Sequence, residues 1–377
     1  MSSAVITALR LTDFRAYAEA QLEGLTGVTF LFGPNGAGKT NLLEAISWLA
    51  PGRGLRGATA VEAGRREAGE THTRAWAVSA DLAPPRDDPD GPGARVGTGL
   101  ESAGGRRVVR IDGQPAAPGR LADLVRLVWL TPAQDRLFVE GATERRRFLD
   151  RLVFADRPSH AREVNDYERA SRERLRLLTG DASPDTAWLD ALEAKIGEAG
   201  AAITLARLAT VAALTEEIER RTDRPFPLAR LALADASADV APEAMADEIR
   251  RASRNSRPRD ASAGRALTGP HRADLKVVHV EKDRPAAECS TGEQKALLLN
   301  IVMAQAARLA KDGAAPPPVL LLDEVAAHLD PDRRAALYDE LSALGLQAFL
   351  TGVEGRLFAD LTGGVGVEVQ DGRLKRV

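Results

Sequence analysis

The sequence predicts an α/β fold, a mixed sheet flanked by helices, with a short helical arm inserted into it. Three observations carry that prediction. An apolar run at 28–32 leads into Gly33-Pro34-Asn35-Gly36-Ala37-Gly38-Lys39-Thr40, and 41–49 then shows helical spacing. Far downstream, Val319-Leu320-Leu321-Leu322-Asp323-Glu324 is a second apolar strand, ending in two acids. Between them, from Thr143 to about Thr222, the pattern turns helical, with turn signals separating the segments.

Composition bounds the rest. A chain of 377 residues holds two or three domains, or one head with a sizeable insertion. Its 44% hydrophobic and 28% charged residues fall in the globular range, and the longest apolar runs are too short to cross a bilayer. Residues 1–17 mix apolar, acidic and basic positions, unlike a secretory or transit segment, so no membrane association and a cytoplasmic location are expected. Cys289 is the only cysteine, which excludes an intramolecular disulfide and a cysteine-cluster metal site. His72, His160, His271, His279 and His328 lack the spacing of a helical zinc pair, so no structural metal is expected. A net charge of −3 gives no global attraction to nucleic acid; DNA binding would need local patches or two chains brought together.

The elements follow in order. Residues 4–11 and 12–17 read as an opening strand and turn, with 73–80 and 107–111 as further strands of an antiparallel region and Asp112-Gly113 as a turn. Residues 83–99, crowded with Pro, Gly and Asp, read as an exposed loop. The 33–40 run fits G-x-x-x-x-G-K-[ST], a loop whose backbone N–H groups close around phosphates. Gly33, Pro34, Asn35, Gly36, Ala37, Gly38 and Asn41 are its framework; Lys39 reaches the outer phosphates and the Thr40 hydroxyl holds Mg²⁺. A helix N-terminus faces the same anion. The acidic strand completes an ATP site, with Asp323 on Mg²⁺ and Glu324 polarising the attacking water.

The arm is read as helices at 144–154, 159–178 and 185–222, with turns at Arg157-Pro158 and 180–184. Leu189, Leu192, Ile196, Ala199, Ile203 and Ala206 recur at steps of three and four; either one seam of a short antiparallel helical pair or a helix packed on a globular core gives this pattern. A strand at 228–233 and a helix at 242–254 follow, and 257–264 is polar and expected to be mobile. Strand 275–280, helix 291–309, linker 313–318, the acidic strand, helix 331–343 and strand 347–351 close the head. The domains are therefore 1–130 with 295–377 as the ATPase head lobe, and 131–294 as the arm and signature lobe.

Ser290-Thr291-Gly292-Glu293-Gln294 opens a long helix upstream of the acidic strand and resembles the signature motif of ABC-type ATPases. The resemblance implies that Ser290, Gly292 and Gln294 reach ATP held by a second copy, so that a complete site needs a dimer. A Ser at a helix N-terminus suits an anion, and it also reads as an N-cap with Glu293 completing a capping box.

Asp13-Phe14-Arg15-Ala16-Tyr17, Thr131-Pro132 with 137–150, and Thr268-Gly269-Pro270-His271-Arg272-Ala273-Asp274-Leu275 resemble the blocks of the RecF family of recombination mediators, relatives of the SMC heads. The resemblance runs nearly end to end. It implies an ABC-type P-loop ATPase head that dimerises on ATP and binds duplex DNA near gaps or junctions. It further implies support of RecA loading with RecR and RecO, and slow hydrolysis as a timer. Asp330 then occupies the D-loop, and Mg²⁺ and ATP are the cofactors.

Departures are visible as well. Thr351-Gly352-Val353 stands where transporter-type ATPases carry a switch histidine, Gln134 beside Asp135 lies near a Q-loop position, and Glu293 replaces a residue that is often Gly or Gln. For DNA, Arg15, the cluster Arg145, Arg146, Arg147 and Arg151, and the cluster Arg250, Arg251, Arg254, Arg257 and Arg259 are the candidates. With aromatic content of 4%, duplex backbone is favoured over base stacking. The competing readings are the ATPase subunit of an ABC transporter, disfavoured by the long gap between Lys39 and Ser290, and a structural SMC-like DNA clamp.

Overall fold

The computed structural model describes residues 5–377 except 86–87, 103–104, 181–184, 235–239 and 314, with 328 described by its backbone alone. The chain divides into two compact units, 1–135 with 223–226 and 298–377, and 136–222 with 227–297. The sequence places the breaks at 130/131 and 294/295, a few residues earlier in each case, and does not separate 223–226 from the arm.

The head unit begins with β1 (Ile6–Phe14) and β2 (Tyr17–Glu23), a hairpin whose turn puts Asp13 and Arg15 at positive φ. β3 (Val28–Phe32) then feeds the phosphate loop and α1 (Lys39–Ser47), and a one-turn helix α2 (Ala60–Ala63) follows. β4 (Trp76–Leu82), β5 (Arg95–Leu100), β6 (Arg107–Ile111) and β7 (Gln114–Pro115) extend the hairpin into an antiparallel sheet ordered β2-β1-β4-β5-β6-β7. The expectation of a loop across 83–99 is thus corrected at its end, where β5 forms. Its glycines weaken the strand signal, but Gly99 lies close against β4: a Cβ there would lie 2.2 Å from the Trp76 carbonyl oxygen. Val96, Thr98 and Leu100 alternate into the core.

β8 (Arg126–Leu130) leads out to the arm unit. There α3 (Ala142–Asp156), α4 (His160–Thr179) and α5 (Thr186–Glu219) are followed by β9 (Ala229–Ala234), α6 (Pro242–Asn255) and α7 (Arg257–Ala263). β10 (Asp274–His279) pairs antiparallel with β9 and with β11 (Arg284–Pro285). The turn expected at 180–184 lies, after Gly180, outside the described residues. Of the α5 seam, Leu192, Ile196 and Ile203 join Tyr167 and Ala170 of α4 in one apolar cluster, with Ala199 and Ile249 against it. Residues 257–264, expected to be polar and mobile, form α7 instead. Pro258 favours the first turn, Gly264 ends the helix in the left-handed region, and Asp260 is buried against Arg174 and Ser256.

α8 (Thr291–Lys311) carries the chain back to the head, where β12 (Pro318–Leu322), α9 (Pro331–Leu344), β13 (Gln347–Gly352), β14 (Val365–Gln370) and β15 (Arg373–Arg376) follow. The second sheet is ordered β15-β14-β3-β13-β12-β8, parallel except for the β15 edge. Leu320, Leu321 and Leu322 are fully buried, the continuous apolar run of a strand covered on both faces. β3, β13 and β12 are adjacent and parallel, so the phosphate loop, the end of β13 and the two acids emerge at the same carboxyl edge.

Candidate active site

The phosphate loop leaves β3 through Gly33 and enters α1 through Gly38, both at positive φ. At Gly33 a Cβ would fall 2.1 Å from the Val369 carbonyl oxygen, and at Gly38 2.9 Å from the Tyr17 hydroxyl, so any side chain would push the loop open. The Tyr17 hydroxyl donates to the Gly38 carbonyl at 2.9 Å and pins the loop from beneath. No side chain caps α1 and no acid sits in its first turn. Its N-terminus is therefore left for an external anion.

Lys39 is buried, and its Nζ donates to the carbonyls of Gly33 at 2.7 Å and Pro34 at 2.9 Å. Burial lowers its pKa, while the nearby charges of Glu324 and Asp323 act to raise it. The Thr40 hydroxyl lies 3.0 Å from both carboxylate oxygens of Asp323. Burial pushes the Asp323 carboxyl above its ordinary range, against hydrogen bonds from Thr351 and Thr40, and the charge of Glu324 adds to the push. A hydroxyl and a carboxylate converging beside an anion loop are the oxygen donors a hard divalent cation takes. Glu324 has φ 54° and ψ 16°, a left-handed conformation uncommon for a residue with a side chain.

Thr351, which the sequence marks only as a missing imidazole, is fully buried between these groups. It donates to Asp323 Oδ1 at 2.7 Å and accepts from the Glu324 N–H at 2.8 Å. Asp330 caps α9 by accepting the Arg333 N–H. Gln134 turns its carbonyl oxygen to Thr131, accepting from both its N–H and its hydroxyl.

In the arm unit, Ser290 and Gly292 are exposed at the start of α8, and a Cβ on Gly292 would meet open space. Ser290 donates through its N–H and its hydroxyl to Glu293 Oε2, at 3.0 and 2.9 Å, and Lys282 bonds the same carboxylate. These bonds, that from Lys282 foremost, hold the Glu293 carboxyl down at about 2. Gln294 is different: it is buried, with its amide donating to the Cys289 carbonyl at 2.8 Å, so it braces the turn and does not project from it.

Several candidate DNA arginines are committed elsewhere. Arg15 makes a two-pronged bond to the buried Glu44 and bonds the Glu62 carbonyl. Arg145 makes the same kind of bond to Asp274, Arg146 donates to the Ala273 carbonyl, and Arg257 holds Glu193 and Asp190. Arg147 and Arg254 stand out into solvent, as do Arg250, Arg251 and Arg259. Sequence reasoning overlooked Arg56, which pairs with Glu44 at 3.4 Å and lines an open cleft of about 790 Å³ beside α1 with Arg15, Asn41, Glu62 and Arg66.

A family model described as the RecF/RecN/SMC N terminal domain matches residues 5–375. The DNA replication and repair protein RecF of Caulobacter sp. (strain K31) is 59% identical, with 98% of each chain covered. That of Mesorhizobium japonicum is 48% identical over 95% of this chain and 94% of its own. Among solved structures, the recombination mediator protein RecF-ATP of the RecFOR pathway superposes with a TM-score of 0.83 at 22% identity, covering 100% of this chain and 98% of that one. The Smc head domain with an extended coiled coil from Pyrococcus furiosus superposes at 0.57 with 18% identity, covering 99% and 96%. These likenesses show the ABC-type ATPase head fold. A chain whose phosphate loop is joined through Thr40 to a buried acidic strand, and which aligns over 98% of its length with a RecF protein at 59% identity, therefore belongs to the RecF family.

Proposed function

We propose that this chain is an ATP-dependent recombination mediator of DNA replication and repair. In this reading two copies close on ATP, bind duplex DNA near single-strand gaps, and support RecA loading with RecR and RecO in the cytoplasm, on the nucleoid. Slow, DNA-stimulated hydrolysis then releases the DNA. The observation that carries the reading is the junction of Thr40, Asp323 and Thr351 at the mouth of the phosphate loop, with Lys39 and Glu324 beside it.

Lys39 would exchange its two carbonyl partners for phosphate oxygens, a small movement of a side chain already aimed into the loop. Thr40 and Asp323 fit Mg²⁺, which when bound neutralises charge on the transferred phosphoryl group. Glu324 would orient and deprotonate the attacking water. Ser290 and Gly292 would complete the site of a second copy from an exposed helix start, with Gln294 supporting them from within and Asp330 fixing the start of α9. Of the candidate arginines, the exposed Arg147, Arg250, Arg251, Arg254 and Arg259 would meet DNA phosphates, Arg147 and Arg250 by leaving Glu144 and Asp247, a contact blind to sequence and sensitive to salt. α5 is apolar and long enough to cross a bilayer, but half of its apolar stretch is buried, with Leu192, Ile196 and Ile203 packed against α4, which supports a soluble protein.

The test is binding to gapped DNA together with sizing of the protein, with and without Mg-ATP, using Glu324→Gln to trap the ATP state and Lys39→Ala as control. An ATP-dependent dimer that holds DNA, lost in Lys39→Ala, supports the reading. A trapped protein that binds ATP but stays monomeric and ignores DNA sinks it and returns the transporter-like or partner-dependent alternatives.

A further inference from the structure

The parallel pairing of β12 and β13 places Thr351 beside the acidic strand's end, and its one hydroxyl is used twice. It gives its proton to Asp323 Oδ1 at 2.7 Å and takes the Glu324 N–H at 2.8 Å. Those two neighbours are the groups whose orientation the site most depends on. Asp323 has two carboxylate oxygens and could rotate about its side-chain torsions; Thr351 from one side and Thr40 from the other fix its plane. Glu324 sits in the left-handed region, where a side-chain-bearing residue stays only if something holds it. The bond from its N–H to Thr351 is that restraint. A valine has nearly the same shape but no hydroxyl, so it leaves Asp323 Oδ1 and the Glu324 N–H without that partner while altering the apolar contacts of β13 little.

We propose that Thr351 is a positioning residue of the ATPase centre, its hydroxyl holding the Asp323 carboxylate toward the metal position and the Glu324 backbone in the turn that presents its side chain to the phosphate loop. The inference rests on the ATPase reading above. It differs from that reading in predicting which step fails when one oxygen atom is removed. The Thr351 hydroxyl is committed to Asp323 and Glu324 and acts through them, so its loss should spare the binding of nucleotide to the loop and weaken what depends on metal and water.

The experiment compares the full chain with Thr351→Val and Thr351→Ser in three readouts: nucleotide affinity in excess chelator, the Mg²⁺ concentration giving half-maximal binding of a non-hydrolysable ATP analogue, and kcat against KM for ATP. The expected result for valine is metal-free affinity within about twofold, a Mg²⁺ requirement raised about tenfold and kcat lowered by about 10- to 100-fold, the range for removal of a group that orients a metal ligand. Serine, which restores the hydroxyl, should return both to within about threefold of the parent. Valine indistinguishable from the parent overturns the proposal, as does serine behaving like valine. If valine does not fold, serine decides alone: a shift of the Mg²⁺ requirement in a folded serine variant overturns it. If the parent binds ATP but does not hydrolyse it, the ATPase reading fails, and the Mg²⁺ dependence of analogue binding still settles the role of Thr351 at Asp323.

Discussion

Asp323 in the head unit and Asp150 in the arm unit are both acids set among buried neighbours, and burial pushes each toward its neutral form. Their partners make the outcomes opposite. Asp150 is bonded by both arms of Arg207 at 2.7 and 2.8 Å and by His160 Nε2 at 2.8 Å, and these hold its carboxyl below the usual range. Asp323 meets two neutral hydroxyls and the like charge of Glu324, and its carboxyl stays above that range. The arm uses its carboxylates as mortar: Arg174 joins Glu193, Asp260 and the Ser253 carbonyl in a cluster with almost no exposure, tying α4 to α5, α6 and α7. The head packs its sheet with leucine and valine; its buried Glu44 is paired with Arg15 and Arg56, whereas Asp323 is left undercompensated, as a site awaiting a cation and a phosphate would be.

The largest expected effect separates activity from stability within the head. Glu324→Gln should lower kcat for ATP by about 10²- to 10⁴-fold, the scale of a lost general base. It should leave the melting temperature equal or slightly higher, because it removes the like charge beside Asp323. Steady-state hydrolysis and calorimetry on the same preparation test both halves; a large drop in melting temperature would show that Glu324 is part of the head's structure.

The same substitution at the two aspartates gives the next contrast. Asp150→Asn leaves the buried Arg207 guanidinium short of a counter-charge and should cost about 3 kcal/mol. Asp323→Asn removes a charge that burial disfavours and should add on the order of 1 kcal/mol while abolishing Mg²⁺-dependent hydrolysis. Denaturant titrations that moved both in one direction would break the comparison.

Acid should find α3 and α5 before β12 and β13. Asp150 and Asp274 both titrate below the usual carboxylate range in the folded chain, Asp274 because Arg145 and Lys276 outweigh its burial. A depressed folded pKa gives stability that is fully present above the unfolded value of about 3.9 and lost as pH falls through the folded values. Asp323 has the opposite sign and gains as it protonates. Deuterium uptake in pulses at pH 5, 4 and 3, corrected for intrinsic exchange, should therefore rise in peptides of α3 and α5 before those of β12 and β13.

What the sequence made legible follows the same division. The phosphate loop is read from spacing because its chemistry is local, Lys39 bonding carbonyls five and six residues away, and the acidic strand because an unbroken apolar run ends in two acids. Thr351 escaped notice because its partners lie 27 and 28 residues back and meet it only through parallel strand pairing. The arginine clusters misled for a related reason. Arg145 and Arg257 look like free charge in a window of ten residues, yet their acids lie 129 and 64 residues away. β5 was hidden by glycines, of which Gly99 is required by the close approach to β4, and α7 by polar residues, of which Asp260 proves to be a buried partner of Arg174.

The smallest expected effect concerns Glu293 of the signature segment. Its carboxylate is ionised at neutral pH and accepts both donors of Ser290, so the hydroxyl that the mediator reading assigns to a second copy's phosphate is turned toward its own helix. Glutamine at 293 keeps an oxygen for the cap, since Glu and Gln both serve that position, and removes the negative charge near an incoming anion. Glu293→Gln should therefore tighten ATP-driven dimerisation about threefold at low ionic strength, an advantage that fades with added salt as the removed charge is screened. Sedimentation at graded protein and salt concentrations measures both. Tightening that ignored salt would mean that the freed Ser290 hydroxyl matters more than the lost charge, and weakening would mean that Glu293 acts only as a cap whose partner Lys282 the dimer needs in place.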